Sequence, residues 1–426
     1  MAQRLLLHTL CASLLALALA ATASAAPSSR GVQILPITQG VPIEAINSQL
    51  ALADSTNANT IRSEVRWDAL QPAGPAYDSD VLAAVDSLVN GAAARGMKVL
   101  LMVDATPCWA SDAPANVKGD CSTPAQLAAA SSYGPSDPSQ YGAVAAMLSA
   151  RYGSRLAGFE VWNEPDQANE YYLAGPDKAA RYANILKAAY TSIKAVSPST
   201  KVLGGTFVGG NGNFLRALYA QGIKGYYDIL SVHFYDETLY SVRETRKVQR
   251  ANGDNKPMWL GEFGYSSCYP RLKVQGGQNC VTRKIQATKL GDVLRGLRKV
   301  PYMQGAIVYN ISDQSDYDTG LFDNAGAKKP AFSAIASIFK SSKIPKPRKV
   351  KLKLRRSGSR VVASGSGPGA DFYEIKVRKR GQLRYRAIVK LSRNLTFQAK
   401  LPPQLGTSGL KVTAKYLSGG SATRSI

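Results

Sequence analysis

Eight short apolar segments recur along the first three quarters of the chain, and longer amphipathic stretches separate them. The apolar segments span residues 32–35, 61–65, 98–103, 159–163, 201–206, 229–234, 257–262 and 305–309. Uninterrupted apolar runs of this length are typical of parallel strands that are buried on both faces. The pattern therefore predicts eight parallel strands.

The stretches between these segments show helical spacing. Residues 80–95, 177–196 and 281–297 each place apolar side chains on one helical face. Strands that alternate with such helices form βαβ units, and eight units predict an α/β fold, a (β/α)8 TIM barrel, over residues 30–340. A doubly wound open sheet is the alternative, but it needs a Gly-rich phosphate turn after the first strand, and residues 35–40 (LPITQG) are not one.

A different pattern begins after a Ser-, Lys- and Pro-rich linker at residues 341–349. Short segments that alternate apolar and polar residues follow at 350–354, 361–363, 372–377, 383–389, 395–399 and 410–416. Gly, Ser and Pro turns separate these segments, and no helical pattern appears. Residues 350–426 are therefore predicted to form a small all-β sandwich, similar to a fibronectin type III domain.

The first 26 residues resemble a secretory signal peptide. Arg4 precedes an apolar stretch over residues 5–20, and small residues around Ala25 follow. A membrane anchor is the alternative, but the apolar run is short for a span and small residues follow it. We therefore expect a secreted, extracellular protein with no transmembrane span after signal removal.

Export permits disulfides, and four cysteines remain beyond the signal peptide: Cys108, Cys121, Cys268 and Cys280. They form two close pairs along the chain, so we expect disulfide-closed loops, although three pairings of four cysteines are open. A zinc site is disfavoured because neither pair has the short spacing of such ligands.

His233 is the only histidine beyond the signal peptide, since His8 lies within it. This excludes a metal site built from several histidines. A serine or cysteine nucleophile would have only this one histidine as its base. We therefore expect carboxylate chemistry that needs no metal and no organic cofactor.

Two glutamates stand where a barrel would carry its active site. Glu164 follows the fourth predicted strand in the run VWNEP, and Glu262 ends the seventh in the run LGEFG. The carboxyl ends of all barrel strands meet at one mouth, so both side chains should face the same cleft. Two carboxyl groups in one cleft can hydrolyse a glycosidic bond, one as acid/base and one as nucleophile.

These runs resemble clan A, the retaining glycoside hydrolases on (β/α)8 barrels, in particular the family 39, family 5 and related cellulase-like enzymes. The resemblance covers residues 32–339 and implies that Glu164 is the acid/base and Glu262 the nucleophile. It also implies that Asn163 binds the sugar 2-hydroxyl.

Further positions match the same pattern, each at the expected strand end. Arg62 would keep the nucleophile ionised, Tyr235 would orient it, and His233 would line the sugar subsite. Trp67 and Trp109 match aromatic positions on which a sugar face stacks. Relatives often carry a tryptophan after strand eight, where this chain has Tyr309.

Other polar and aromatic residues receive structural interpretations. Asn163-Glu164-Pro165 taken alone could be a helix start. Glu160 is interpreted as a buried structural carboxylate paired with an arginine. Asp104 is interpreted as a strand-end cap, Trp67 could be core only, and Trp259 is expected to pack against a helix.

The net charge of +24 is uneven, because residues 341–426 carry 21 Lys and Arg against two acids, a net +19. This region could be a spacer with a solvated charged face. It could instead bind an anionic polymer, such as uronic-acid polysaccharide or teichoic acid, or an anionic membrane surface, which would associate the enzyme with the cell surface. Nucleic acid is not expected, since no recognition motif is found.

The sequence thus predicts a secreted retaining glycosidase that cleaves polysaccharide or oligosaccharide by double displacement. The alternative is a non-catalytic carbohydrate-binding or cell-surface protein on the same barrel.

Overall fold

The computed structural model describes residues 27–275, 278–297, 300–341 and 345–426. The predicted signal peptide at residues 1–26 lies outside the described residues. Within them, no helix is both long and apolar enough to cross a membrane.

Eight strands, each followed by a helix, form the first part of the chain. The strands are β1 Ser29–Gln33, β2 Thr60–Arg66, β3 Lys98–Asp104, β4 Leu156–Val161, β5 Val202–Phe207, β6 Ile229–His233, β7 Met258–Phe263 and β8 Met303–Val308. The helices are α1 Ile43–Ser55, α2 Ser79–Ala93, α3 Pro138–Tyr152, α4 Lys178–Val196, α5 Asn213–Ala220, α6 Thr238–Ala251, α7 Arg283–Leu297 and α8 Pro330–Lys340.

The eight strands are parallel and close into a barrel, because β1 pairs with both β2 and β8. The predicted TIM barrel is therefore confirmed, and the doubly wound open sheet is wrong. Helix α2 shows how the sequence sets these units. Asp78 accepts hydrogen bonds from the Asp80 and Val81 amides at its N-terminus, and its apolar side chains are buried against the barrel.

Loops on the carboxyl side of β3 and β7 carry the extra structure. They contain short helices at Cys108–Ala110, Ala115–Lys118 and Pro124–Ser131 and a hairpin of Val274–Gln275 with Gln278–Asn279. Disulfides Cys108–Cys121 and Cys268–Cys280 close these loops, which settles the pairing that the sequence left open. Further short segments are Trp67–Leu70, Gly153–Arg155 and Ile223–Gly225.

The floor of the barrel is an apolar plug. It consists of the buried side chains Leu100, Leu203, Ile229, Trp259 and Ile307. The expectation that Trp259 packs against a helix is wrong. Strand β7 holds one extra residue relative to β6 near Gly261, so the alternation of inward and outward side chains is broken before Glu262.

Seven strands form the C-terminal region, in two antiparallel sheets. The strands are β9 Lys351–Ser357, β10 Arg360–Ser366, β11 Tyr373–Lys379, β12 Gln382–Val389, β13 Thr396–Lys400, β14 Leu410–Tyr416 and β15 Ser421–Ser425. The sheet orders are β9-β10-β13 and β12-β11-β14-β15, and a short 3-10 segment, Pro403–Leu405, precedes β14.

The two sheets share an apolar core, so the predicted all-β sandwich is confirmed. Tyr373 of the larger sheet stacks on Phe397 of the smaller one, with ring centroids 5.0 Å apart. The sequence predicted six strands and missed β15, whose residues SATRS contain no apolar alternation. The similarity to a fibronectin type III domain, and the domain bounds, stay predictions.

The sandwich is held against helices α6 and α7 of the barrel. Arg348, in the predicted linker, donates to both carboxylate oxygens of Asp292 at 3.0 and 2.7 Å. Gly369 donates its amide to the same carboxylate at 2.8 Å. Arg243 forms an ion pair with Asp371 of the sandwich. These contacts fix the two parts relative to each other.

Candidate active site

The barrel mouth contains a cleft of about 780 Å³. Glu164 lies three residues beyond β4, Glu262 lies within β7, and Tyr309 follows β8 directly. The cleft is lined by Gln33, Pro36, Glu64, Asn163, Glu164, Gln167, Asn169, Tyr171, Tyr172, Val208, Tyr235, Asp236, Glu262, Gln278, Tyr309, Gln314, Ser315, Asp316 and Tyr317. The strand ends thus bring residues that are far apart in sequence into one concave site.

Arg62 is the hub beneath this cleft, and its side chain is fully buried. Its Nη1 donates to Glu262 Oε1 at 2.5 Å, and its Nε donates to Glu160 Oε2 at 2.5 Å. Its Nη2 donates to Asn163 Oδ1 at 3.0 Å, and Nη1 also donates to Gln33. A planar guanidinium with several donors can hold such groups in one geometry.

The Glu262 carboxylate accepts hydrogen bonds from two side chains. Besides Arg62, the Tyr235 hydroxyl donates to its Oε2 at 2.5 Å. Burial raises the pKa of Glu262, whereas His233 and Arg62 lower it and Glu164 raises it, and the net direction is upward. Arg62 therefore acts on this carboxyl in the expected direction, but burial outweighs it in the empty cleft.

Glu164 stands opposite and has different partners. His233 Nδ1 lies 2.9 Å from its Oε1, and Gln167 donates to its Oε2. One oxygen of Glu164 and one of Glu262 lie within 4.8 Å of each other. Both side chains line the cleft, although each residue is at most 5 % exposed.

His233 lies behind the two glutamates and not among the residues that line the cleft. It is fully buried, and its Nε2 lies 3.6 Å from Glu160 Oε1. Burial opposes its charge, but Glu262, Glu160 and Glu164 together raise its pKa to about 9. It is therefore an imidazolium at neutral pH that donates to Glu164, and it does not line the cleft, where it was expected to line the sugar subsite.

Glu160 is the buried partner of Arg62 that the sequence suggested. Burial raises its pKa, but Arg62 and His233 outweigh burial and lower the pKa to about 2. The Ser231 hydroxyl donates to its second oxygen. Glu160 thus balances the charge of the arginine from below and does not line the cleft.

Of the three aromatic residues predicted to contact the sugar, only Tyr309 lines the cleft. Trp67 is fully buried and packs edge-on against Trp109 and Tyr141 at 6.3 and 5.7 Å, so its expected role in sugar stacking is wrong. Trp109 is partly exposed, but its indole donates to the Gln71 carbonyl, and it does not line the cleft. Tyr309 lines the cleft, packed edge-on against Tyr235.

Several lining residues escaped the sequence analysis, above all Glu64 and Tyr172. Glu64 lies two residues after Arg62 on the same face of β2, and this parity was the available signal. Tyr172 comes from the loop after β4, and loop side chains have no periodicity that reveals their direction.

Asp104 is not a strand-end cap. Its carboxyl is 2 % exposed, lies beside Glu64, and has one oxygen without a hydrogen-bond partner among the described residues. Burial and then the negative charge of Glu64 raise its pKa well above the ordinary value, against the lowering effect of Arg66. Asp104 therefore keeps its proton beside Glu64 at pH values where an exposed aspartate is ionised.

We expect Asp104→Asn to stabilise the fold increasingly as pH rises from about 4. Folding of the wild type takes up a proton at Asp104, because its pKa is higher in the folded than in the unfolded chain. Stability is therefore lost as pH rises towards the folded pKa, and asparagine removes that loss. Thermal midpoints of both proteins at pH 5 and pH 8 measure the difference. The substitution Asp54→Asn, at an exposed position, is the control. If the thermal midpoints of Asp104→Asn and the wild type differ by the same amount at both pH values, the raised pKa of Asp104 is contradicted.

Glu164, His233 and Glu262 are the described residues whose side-chain atoms come close enough to share a cation. The Arg62 guanidinium lies 2.5 Å from Glu262, and His233 is itself charged at neutral pH. Two cations beside the candidate ligands disfavour a third between them. The arrangement is better suited to proton and glycosyl transfer than to metal binding.

Comparisons with known proteins agree with this fold. Residues 25–289 match the family model described as cellulase (glycosyl hydrolase family 5). No match is found among curated proteins.

Solved structures share the fold at low sequence identity. A family 39 glycoside hydrolase from Bacteroides cellulosilyticus WH2 has 16% identity and a TM-score of 0.55, covering 88% of this chain and 81% of its own. The GH39 enzyme from Xanthomonas axonopodis pv. citri has 16% identity and a TM-score of 0.56, covering 90% and 93%. A GH39 beta-xylosidase from Caulobacter crescentus has 16% identity and a TM-score of 0.55, covering 89% and 95%.

The family model spans more than half of the chain, including Arg62, Glu164 and Glu262. Together with a closed barrel whose mouth presents two glutamates, it settles the class of the protein. The chain belongs to the cellulase family, glycosyl hydrolase family 5, and is a glycosidase.

Proposed function

We propose that the protein is a retaining β-glycosidase in which Glu262 is the nucleophile and Glu164 the acid/base. The observation that carries this proposal is the approach of the two carboxyl groups, with one oxygen of each within 4.8 Å. Retaining enzymes hold their carboxyls about 5–5.5 Å apart, whereas inverting enzymes need about 6.5–9.5 Å to admit a water.

The charges of the buried cluster come close to balance. Arg62 and His233 are cations, and they face three carboxyl groups, those of Glu160, Glu164 and Glu262. Two carboxylates neutralise two cations, so a third is favoured with its proton. Glu160 is ionised, and the hydrogen bonds that Glu262 accepts from Arg62 and Tyr235 favour the carboxylate form that a nucleophile needs.

This arrangement of two facing carboxyl groups suits double displacement. In the first step a Glu262 oxygen attacks the anomeric carbon while the bond to the leaving oxygen breaks and Glu164 protonates that oxygen. In the second step Glu164 takes a proton from water, the water oxygen attacks the anomeric carbon, and Glu262 leaves as a carboxylate. Asn163, whose Oδ1 accepts from Arg62 at 3.0 Å, would bind the sugar 2-hydroxyl with its amide group.

We further propose that the chain is exported, with residues 1–26 as its signal peptide and polysaccharide or oligosaccharide as its substrate. Two disulfides in the loops of the mouth support an oxidising compartment. Detection of the mature chain in the culture medium, starting near residue 27, tests this step.

We expect the wild type to hydrolyse at least one of a panel of aryl β-glycosides, with the first product in the β configuration. Proton NMR of the early product distinguishes retention from inversion. Glu164→Gln and Glu262→Gln should lose turnover, whereas Glu44→Gln, on the exposed side of α1, should not. An α product contradicts the mechanism. Equal inactivity of wild type and both variants across the panel would favour a non-catalytic carbohydrate-binding protein.

A further inference from the structure

The outer face of the larger sheet of the sandwich carries a concentrated positive charge. Lys376 and Arg378 of β11, Arg386 of β12, and Lys411 and Lys415 of β14 point away from the core, and we name these five residues the basic face. All of them are exposed except Lys376, which is half-buried. The intervening residues Ile375, Val377, Val412 and Ala414 are buried between the sheets.

The two acids of residues 341–426 do little to balance this charge. Asp371 is buried at the junction with the barrel, where Arg243 binds it. Glu374 lies on the outer face, 2.9 Å from Lys376 and also paired with Arg386. With five cations and one acid, the face has a net charge of +4.

The strand register places like charges opposite each other. Lys376 lies directly opposite Arg386, and Arg378 lies directly opposite Lys411. Like charges in such cross-strand positions destabilise a sheet. Glu374 lies between Lys376 and Arg386 and relieves their repulsion, whereas no ion pair with an acid is found for Arg378 or Lys411 among the described residues. An anion that lies across the strands would relieve the repulsion of this second pair.

The smaller sheet offers an internal comparison. Its outer positions Lys351, Lys353 and Arg355 on β9 are exposed, but their cross-strand partners are Ser366, Ser364 and Val362, which carry no charge. The repulsive pairing is thus particular to the larger sheet, although both sheets have basic side chains.

The active-site cleft has the opposite character. Its lining includes the acids Glu64, Glu164, Asp236, Glu262 and Asp316, and none of the described residues that line it is a Lys or Arg. A polyanion therefore meets no Lys or Arg among the described residues that line the cleft, whereas the sandwich attracts it. We therefore expect the polymer on the basic face to differ chemically from the substrate in the cleft.

We propose that the basic face binds an acidic polysaccharide whose carboxylates repeat along an extended chain. A flat array of cations with neighbouring Ser and Thr hydroxyls on β15 matches evenly spaced carboxylates. The face presents no aromatic side chain for stacking unpaired bases and no helix that could enter a groove. It also has no amphipathic helix that could lie in a membrane surface.

The contacts between the sandwich and the barrel link binding at the basic face to the position of the cleft. The contacts of Arg348 and Gly369 with Asp292 hold the sandwich on the barrel, so a polymer on the basic face keeps the cleft at a constant distance. The enzyme would be retained on an acidic matrix while it cleaves a less charged glycan. This proposal does not depend on the identity of the catalytic residues.

The test is affinity electrophoresis of the full chain in gels containing polygalacturonate, dextran or neither, at about 20, 150 and 500 mM salt. We expect retardation by polygalacturonate but not by dextran, with loss of the effect at the highest salt. Equal mobility in all three gels at low salt overturns the proposal.

Two triple variants locate the site. Arg378→Gln/Arg386→Gln/Lys411→Gln removes three charges from the basic face, and Lys351→Gln/Lys353→Gln/Arg355→Gln removes three from the smaller sheet. We expect about tenfold weaker binding in the first and less than about threefold in the second. Equal weakening overturns a located site, and tighter binding of duplex DNA or anionic vesicles than of polygalacturonate overturns the assigned partner. Thermal midpoints confirm that both variants fold.

Discussion

Replacing Glu262 with alanine is expected to lower kcat on an activated aryl β-glycoside by about 10⁴- to 10⁶-fold. The substitution removes the carboxylate between Arg62 and Tyr235, and these two donors remain and can bind another anion in its place. A small anion such as azide should therefore enter the vacated space, attack the anomeric carbon, and restore turnover with a glycosyl azide of inverted configuration.

Glu164→Ala provides the matched comparison, because it leaves the nucleophile intact. With an aryl leaving group that needs no protonation, its first step should persist, and azide should intercept the glycosyl-enzyme to give a product of retained configuration. The two configurations, read by NMR, assign the two roles. If azide gives the same configuration in both variants, the roles as proposed are wrong.

Arg62→Met is expected to lower the free energy of unfolding at pH 7 by about 3–5 kcal/mol, because removing one partner leaves buried charges uncompensated. Glu160 is fully buried, and Glu262 is 4 % exposed, and both depend on this guanidinium. Activity should fall as well, since the orientation of Asn163 and Glu262 is lost together. Urea unfolding and kcat/KM on the same preparation measure both effects.

The stability loss in Arg62→Met should depend on pH in a defined direction. The lowered pKa of Glu160, about 2, contributes stability that is present above the ordinary glutamate pKa and is lost as pH falls through about 2. The difference from wild type should therefore be largest above pH 5 and shrink towards pH 2. Arg151→Met is the control, because its partly exposed pair with Asp86 should contribute no more than about 1 kcal/mol. If Arg62→Met lowers the free energy of unfolding no more than Arg151→Met does, the role of Arg62 as the hub beneath the cleft is contradicted.

The barrel could be predicted from the sequence because its strands are buried on both faces and therefore appear as uninterrupted apolar runs. The positions of Glu164 and Glu262 followed from the same pattern, since both stand at strand ends. The direction in which a strand side chain points was harder to predict from the sequence. The extra residue in β7 reverses the expected direction of Trp259, and Gly261, of a residue type that often marks a bulge inside a strand, was the available signal.

The residues packed around the two glutamates were harder to interpret than the glutamates themselves. The match of Trp67 to an aromatic position did not show that Tyr141 and Trp109 enclose it. Glu64 and Asp104 were overlooked as a pair because they come from neighbouring strands 40 residues apart, and only the closed barrel brings them together. Such proximity depends on register, which the sequence alone did not determine.

The apolar plug beneath Arg62 has a consequence for how the site exchanges protons. Leu100, Leu203, Ile229, Trp259 and Ile307 separate the charged cluster from an open hollow of about 610 Å³ at the opposite end of the barrel. We therefore expect Glu164 and Glu262 to exchange protons with bulk solvent by way of the cleft. While a glycan fills the cleft, that exchange should slow, and the protons that move are those passed between Glu164, the leaving oxygen and the attacking water.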